Sequence, residues 1–260
     1  MARVFITGSS DGLGLMAGQL LAKERHEVVA HARNESRAAV TKRLLPQASA
    51  VVIGDLSTLA GMREVAEMAN ATGRFDAVIH NAAVGSSEGH IVTADGLSHV
   101  FAVNVLAPYL LTALIELPGR LVYMSSGMHQ GGRASLEDLQ WEHRPWIGSQ
   151  AYSDSKLFVA AVAAAVARHR GDVLSNAVDP GWVATKMGGP GAPDDLEMGY
   201  ATQAWLAVSA DQNAQVSRRF FFHKHEIDAH LSMHDERFQE GLLLECAALT
   251  GVELFSGGRD

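Results

Sequence analysis

Cysteine is almost missing from this chain: among 260 residues only Cys246 carries a thiol. One thiol excludes an intramolecular disulfide and fits a reducing compartment. Long apolar runs are lacking too. The richest, Leu157 to Ala167, is short and alanine-rich, which reads as a buried helix rather than a membrane span. The N-terminal apolar run reaches a glycine turn by Gly8, too early for a signal peptide. Basic charge is in deficit, with 21 Lys and Arg against 29 Asp and Glu for a net −8. Such a surface does not attract a nucleic-acid backbone, although one small basic pocket stays allowed. Charged residues make up 19% and apolar residues 47%, which excludes a disordered chain and a long charged coiled coil. The expectation is a soluble cytoplasmic protein without nucleic-acid or membrane partners. Residues 1–260 are read as a single domain, with 226–260 a C-terminal extension.

What is present is an alternation of short β-branched runs with helical patterns. Arg3–Thr7, His26–His31, Ser49–Gly54, Asp76–His80, Arg120–Ser125, Asp172–Val178 and Ser217–Phe222 read as strands. Between them, helices are expected at Leu13–Arg25, Glu35–Leu45, Thr58–Ala71, Ala94–Leu117, Gln150–Arg170 and Leu196–Ser209. The strand runs are continuously apolar, as in strands buried on both faces. Alternation on this scale implies an α/β fold, a Rossmann-like doubly wound sheet of about seven parallel strands with helices on both faces. Ligands of such sheets sit beyond the carboxyl ends of the strands, so chemistry is sought there.

The first strand ends in Thr7-Gly-Ser-Ser-Asp-Gly-Leu-Gly14. Gly8, Gly12 and Gly14 allow a tight turn and close backbone approach, and the following helix offers free N–H groups to a pyrophosphate. The glycine spacing resembles the short-chain dehydrogenase/reductase family, in its compact single-domain branch. The resemblance extends from Arg3 to about Phe222. It implies that Gly8, Ser10, Gly12, Leu13 and Gly14 border a nicotinamide dinucleotide. Asp55-Leu56 is similar to the family's adenine-contacting pair. His80-Asn81-Ala82-Ala83 stands where the family usually has Asn-Asn-Ala-Gly, so positions 80 and 83 depart from its pattern. Pro180-Gly181-Trp-Val183-Ala-Thr185 resembles the family's P-G-x-x-x-T, in which Thr185 would hold the carboxamide.

Tyr152 and Lys156 are four residues apart in a helical pattern, hence on one face. An ammonium beside a phenol stabilises phenolate and lowers the tyrosine pKa. The family places this pair in this helix, with Tyr152 as acid/base and both residues near the cofactor. Of the serines ending the fifth strand, the resemblance selects Ser126 as the hydrogen-bond donor to substrate oxygen. Asn104 lies in an apolar helical run, where an amide needs partners. The resemblance gives it a helix break and a water held for a proton relay. The long gap from Ser126 to Tyr152 carries Trp141 and Trp146 and reads as an insertion over the site mouth.

At the end of strand two stands Arg33, where an acidic residue would repel a 2′-phosphate. A guanidinium matches phosphate, although Asp11 opposes it. NADP(H) is favoured, with NAD(H) still possible. His230 and His234 have i, i+4 spacing, but no metal site is expected. Residues 186–200 read as a substrate lid, with Leu196, Met198 and Tyr200 offered to an apolar ligand. The helix after Tyr152 is apolar nearly all round, so a partner subunit is expected to cover it, giving a homodimer or homotetramer. The leading function is hydride transfer between NADP(H) and an apolar carbonyl or secondary alcohol. A non-catalytic dinucleotide sensor and a sugar-nucleotide epimerase-like member are the alternatives.

Overall fold

The computed structural model describes residues 1–255, so 256–260 of the expected extension lie outside the described residues. β1 (Arg3–Ile6) leads into α1 (Gly12–Lys23), β2 (Glu27–Ala32) into α2 (Glu35–Leu44), and β3 (Ala50–Ile53) into α3 (Leu59–Ala71). Each of these helices starts at a polar cap. Asp11, Asn34 and Thr58 accept first-turn N–H groups through their side chains, which satisfies donors the helix itself leaves free. β4 (Ala77–His80), β5 (Arg120–Met124), β6 (Leu174–Asp179), β7 (Phe220–Phe222) and β8 (His225–Glu226) complete the sheet.

The strand order is β3-β2-β1-β4-β5-β6-β7-β8. Every pairing from β3 to β7 is parallel, and β8 alone pairs antiparallel, with β7. The two-residue β8 is an addition to the expected seven strands. β1 and β4 are neighbours although three helices and two strands separate them in sequence. That reversal opens the crevice where such sheets bind ligands. β7 is shorter than expected because Arg218 adopts a left-handed φ of 65°, which a ladder residue cannot hold.

The expected helix over 94–117 is broken. Thr93 to Leu97 form a turn, with Gly96 at φ 76° and its N–H on the Thr93 carbonyl at 3.0 Å. α4 (His99–Phe101) then passes into a π-helical turn, Ala102–Leu106, before α5 (Ala107–Leu114).

α6 (Gly148–His169) is buried at every position from Ala151 to Val166. The sequence suggested a second subunit as its cover. The chain instead covers the helix itself. α8 (Glu236–Thr250), capped by Asp235 and ended by Gly251 at φ 69°, joins α6 in one apolar cluster with Phe238, Leu242 and Cys246. The Phe238 ring lies tilted against Phe158, centroids 5.6 Å apart, and Arg168 donates to Gln239 at 3.0 Å. The reason for expecting a partner on this face therefore falls away. α7 (Leu196–Val208) packs on the other side of the sheet beside α1.

Candidate active site

The carboxyl ends of the strands enclose a cleft of about 500 Å³. Of the residues selected from sequence, Gly8, Ser10, Gly12, Leu13, Arg33, Asp55, Leu56, Asn81, Ala82, Tyr152, Lys156, Pro180 and Thr185 line it. Asp11, His31, Arg37, His99, Val103, Lys186 and Met187 also line it and were not selected from sequence as ligand contacts.

The turn after β1 is shaped for a close-lying ligand. Gly8 has φ 63°, and a Cβ there would meet the Ala82 Cα at 2.8 Å. Gly14 lies against Gly8 O and the Asn81 amide, which a Cβ would strike at 2.7 and 2.3 Å. Gly14 thus shapes the turn from behind rather than lining the cleft. Asn81, which lines the cleft, also fixes the turn by hydrogen bonds: its Nδ2 donates to Thr7 O at 3.0 Å and to Gly8 O at 3.1 Å. A Cβ on Gly12 would meet only open space. Together with the N-terminal end of α1, whose first N–H alone among the described residues is taken up by the Asp11 side chain, these features fit a pyrophosphate.

At the rim beyond β2, Arg33 is exposed and makes no ion pair among the described residues. Asp11, which seemed to oppose a phosphate here, is neutralised. It pairs with Arg37 at 3.2 Å and with Lys186 from the opposite wall. The Lys186 contact is the main reason its carboxyl sits below the usual range. Asp55 uses one carboxylate oxygen on Ser57 N at 2.9 Å, leaving the other for a ligand donor. Among the described residues, the cleft therefore has apolar, anion-receptive and amide-bearing parts that suit a nicotinamide dinucleotide.

Tyr152 and Lys156 stand one turn apart on α6, with Lys156 Nζ 5.4 Å from the phenol ring centre. Lys156 is 2% exposed and donates to Met124 O at 2.9 Å. Burial drives its pKa down to about 7, with Asp179 partly opposing. Burial also pushes the Tyr152 phenol up to about 12, against a lowering by the neighbouring Ser126 hydroxyl. The sequence argument expected a depressed tyrosine pKa. In the protein burial dominates and the Asp179 carboxylate adds to it, while the Ser126 hydroxyl opposes.

The two serines after β5 separate clearly. Ser125 Oγ donates to Lys156 O at 2.7 Å, which ties β5 to α6. Ser126 lies beside Tyr152, and its Oγ accepts the Met128 N–H at 3.2 Å as the cap of a short 3-10 turn. Asn104 sits in the π-helical turn. Its Oδ1 accepts Val84 N at 2.8 Å, and its Nδ2 donates to Val84 O at 3.2 Å and Ser155 Oγ at 3.0 Å. It thus joins the β4 loop to α6.

The loop after β6 is ordered by local contacts. Gly181, at φ 81°, packs on Asp194, and buried Val183 bridges to the same residue. Both shape the segment behind Pro180 and Thr185 rather than lining the cleft. Lys186 reaches Asp11, while Met187 lies beside Gly85. Leu196, Met198 and Tyr200, expected to face substrate, open α7 outside the cleft lining, and Tyr200 packs on the core. The tryptophans also depart from expectation. Trp141 is buried with Val100 and Ala151, its ring 3.6 Å from the Arg144 guanidinium carbon. Neither it nor Trp146 lines the cleft, and Trp182 is exposed. The insertion packs beside the α6 start rather than over the mouth. In the tail, His230 is an N-cap, with Nδ1 accepting from Ser232 N at 3.1 Å. It lies outside the helical turn, so the i, i+4 face inferred from spacing does not form.

A glycine-turn cleft at the switch point, with a buried Tyr–Lys pair beside it, defines a dinucleotide-dependent oxidoreductase of the doubly wound class. The profile of the short chain dehydrogenase family matches residues 2–195. The chain belongs to that family. It is 41% identical to an uncharacterized oxidoreductase of Emericella nidulans, over 99% of this chain and 100% of the relative. A crystal structure of a Mycobacterium Paratuberculosis protein superposes with a TM-score of 0.85 at 24% identity, covering 98% of this chain and 95% of that one. A blue fluorescent protein from a metagenomic library, crystallised with NADPH, superposes at 0.69 and 21% identity, covering 85% of this chain and 95% of that one.

Proposed function

We propose that this enzyme reduces an apolar carbonyl compound to a secondary alcohol, with NADPH as reductant and Tyr152 as proton donor. The observation that carries this reading is the Tyr152–Lys156 pair, buried against the Ser126 turn at the inner end of the cleft. A phenol is protonated at neutral pH, and burial keeps Tyr152 in that form, the form that gives its proton to a carbonyl oxygen.

When bound, the reduced nicotinamide supplies the hydride that the carbonyl carbon accepts. Tyr152 passes its proton to the carbonyl oxygen, which completes the alcohol. Ser126 orients that oxygen by a hydrogen bond. Lys156, anchored on Met124 O, favours the phenolate left behind. Asn104 anchors the relay that restores the proton by fixing the β4 loop against Ser155. Gly8, Ser10, Gly12 and Leu13 would hold the pyrophosphate in the turn that Gly14 shapes from behind, and Asp55, Leu56, Asn81 and Ala82 would hold the adenosine side. Pro180 and Thr185 would hold the carboxamide, on a segment that Gly181 and Val183 shape from behind.

NADP(H) is preferred over NAD(H) on this reading, because Arg33 and Arg37 stand at the rim and Asp11 is already paired. The NADPH-bound neighbour supports the same choice. The apolar character of the substrate rests on Val84, Val103, Met124 and Met187, which line the cleft. The reading is tested by following NADPH absorbance against a panel of ketones and aldehydes. Saturable oxidation of NADPH with an apolar carbonyl is expected. Tight NADPH binding with no turnover on any of the panel would favour the sensor reading instead.

A further inference from the structure

His31 is one residue short of the end of β2 and only 2% exposed, yet its ring borders the cleft. Both ring nitrogens are used. Nδ1 is 2.9 Å from the Gly8 N–H, which can only donate, so Nδ1 accepts. Nε2 is 2.9 Å from the Gly54 carbonyl, which can only accept, so Nε2 carries the proton. One neutral tautomer satisfies both partners; a second proton would set two N–H groups against each other. Burial, which lowers the His31 pKa to about 4, keeps that form at neutral pH. The backbone adds to the junction: His31 N donates to Ser9 Oγ at 2.8 Å, and Ser9 N donates to His31 O at 3.2 Å.

The two bonded groups belong to different walls of the cleft. Gly8 opens the phosphate turn after β1, and Gly54 immediately precedes Asp55-Leu56 after β3. The ring spans the strand that separates them. We propose that His31 is a positioning residue of the dinucleotide site, holding the phosphate turn and the Asp55-Leu56 loop at the separation that the adenosine half of the ligand needs. This rests on the dinucleotide reading above. It touches neither the reacting atoms nor the nicotinamide, so its effect falls on binding of the adenosine half.

The proposal separates chemistry from shape. Glutamine can place a carbonyl oxygen and an amide nitrogen where the imidazole places its acceptor and donor. Leucine fills similar space with neither group and leaves the Gly8 N–H and Gly54 O unpaired. Binding of NADPH, of adenosine 2′,5′-bisphosphate and of reduced nicotinamide mononucleotide is measured by fluorescence and calorimetry for the wild type, His31→Gln and His31→Leu. His31→Leu is expected to weaken NADPH and the bisphosphate by about 10-fold or more, the scale of lost buried hydrogen bonds. Binding of the mononucleotide and kcat at saturating NADPH should stay within about twofold, and His31→Gln should recover most of the affinity. Undiminished NADPH binding by His31→Leu overturns the proposal, as does an equal loss for the mononucleotide. If His31→Leu does not fold, ¹⁵N NMR of the wild-type ring decides: a protonated ring or the Nδ1–H tautomer at neutral pH overturns the assignment. Wild-type protein that binds neither NADPH nor NADH overturns the dinucleotide reading itself, and this proposal with it.

Discussion

The phosphate turn and the cover of α6 are built on different length scales. The turn is made within one strand–helix junction, Thr7 to Gly14, and its glycines serve needs that few other residues can meet. Gly8 requires a positive φ, and Gly14 has no room for a Cβ. α6 is covered by residues far along the chain, as in the Arg168–Gln239 bond across 71 positions. Its alanine-rich surface states that a cover is needed and is silent on which chain supplies it. A local turn thus advertises its use by residue identity, whereas a covered helix advertises only its demand for apolar contact. The two regions should respond differently to substitution, one in ligand handling and the other in stability.

The largest effect is expected at the hinge between them, where α6 carries Tyr152. Tyr152→Phe should lower kcat by about 100-fold or more while leaving the NADPH Kd within about twofold. Steady-state assays and fluorescence titration of the same preparation check this, and near wild-type turnover would remove Tyr152 as the proton donor. Next comes the cover. Leu242 is fully buried against the α6 cluster, so Leu242→Ala should cost about 2–5 kcal/mol and lower Tm by roughly 10 °C. Well below that Tm its cofactor affinity should be unchanged. A weakened Kd with an unaltered melting curve would erase the distinction between the regions.

Lys156 tests the comparison through pH. Its pKa falls from 10.5 to about 7 on folding. Between those values the unfolded chain binds the extra proton, so the wild type gains stability as pH rises from about 7 toward 10.5. Below 7 the burial penalty is present in full. Lys156→Met lacks the charge and should be more stable than wild type at pH 6, by roughly 1–3 kcal/mol after the lost bond to Met124 O is counted. That advantage should shrink by pH 9.5. Melting curves at the two pH values check it; an advantage that grows with pH would reverse the assigned sign.

The rim gives a smaller effect. Arg33→Ala should weaken NADPH by about 10-fold and NADH by no more than about twofold, since only the former offers a phosphate to the guanidinium. Equal losses in parallel titrations would end its role in cofactor choice. The smallest signal is dynamic. Lys186 and Met187 bridge to opposite walls of the cleft, so hydrogen exchange across residues 186–200 should slow in the ternary complex. Unchanged protection there would leave the segment an ordinary connector.

Several features were legible in the sequence because they depend on neighbours. Glycine spacing marked the phosphate turn, continuous apolar runs marked the parallel strands, and i, i+4 spacing put Tyr152 beside Lys156. An amide in an apolar run signalled that Asn104 needs partners, while its break of the helix was implied by the family resemblance alone; the π-helical turn lets it reach Val84 and Ser155. Other features depend on what arrives from elsewhere. Trp141 and Trp146 lie in a segment whose packing spacing does not specify, and Val100 and Ala151 draw them beside the cleft rather than over it. His31 gave no signal, since a histidine within a strand looks like any core residue until Gly8 and Gly54 meet its two nitrogens.

The sequence by itself determined the α/β alternation, the place of the glycine turn and the pairing of phenol with ammonium, because hydrogen bonding and side-chain direction over a few residues suffice for each. Tertiary structure alone decided the tyrosine pKa, the neutralisation of Asp11 by Arg37 and Lys186, and the cover of α6 by α8. Burial and charge pairing are sums over everything packed around a group, and residues distant in sequence contribute most of that sum.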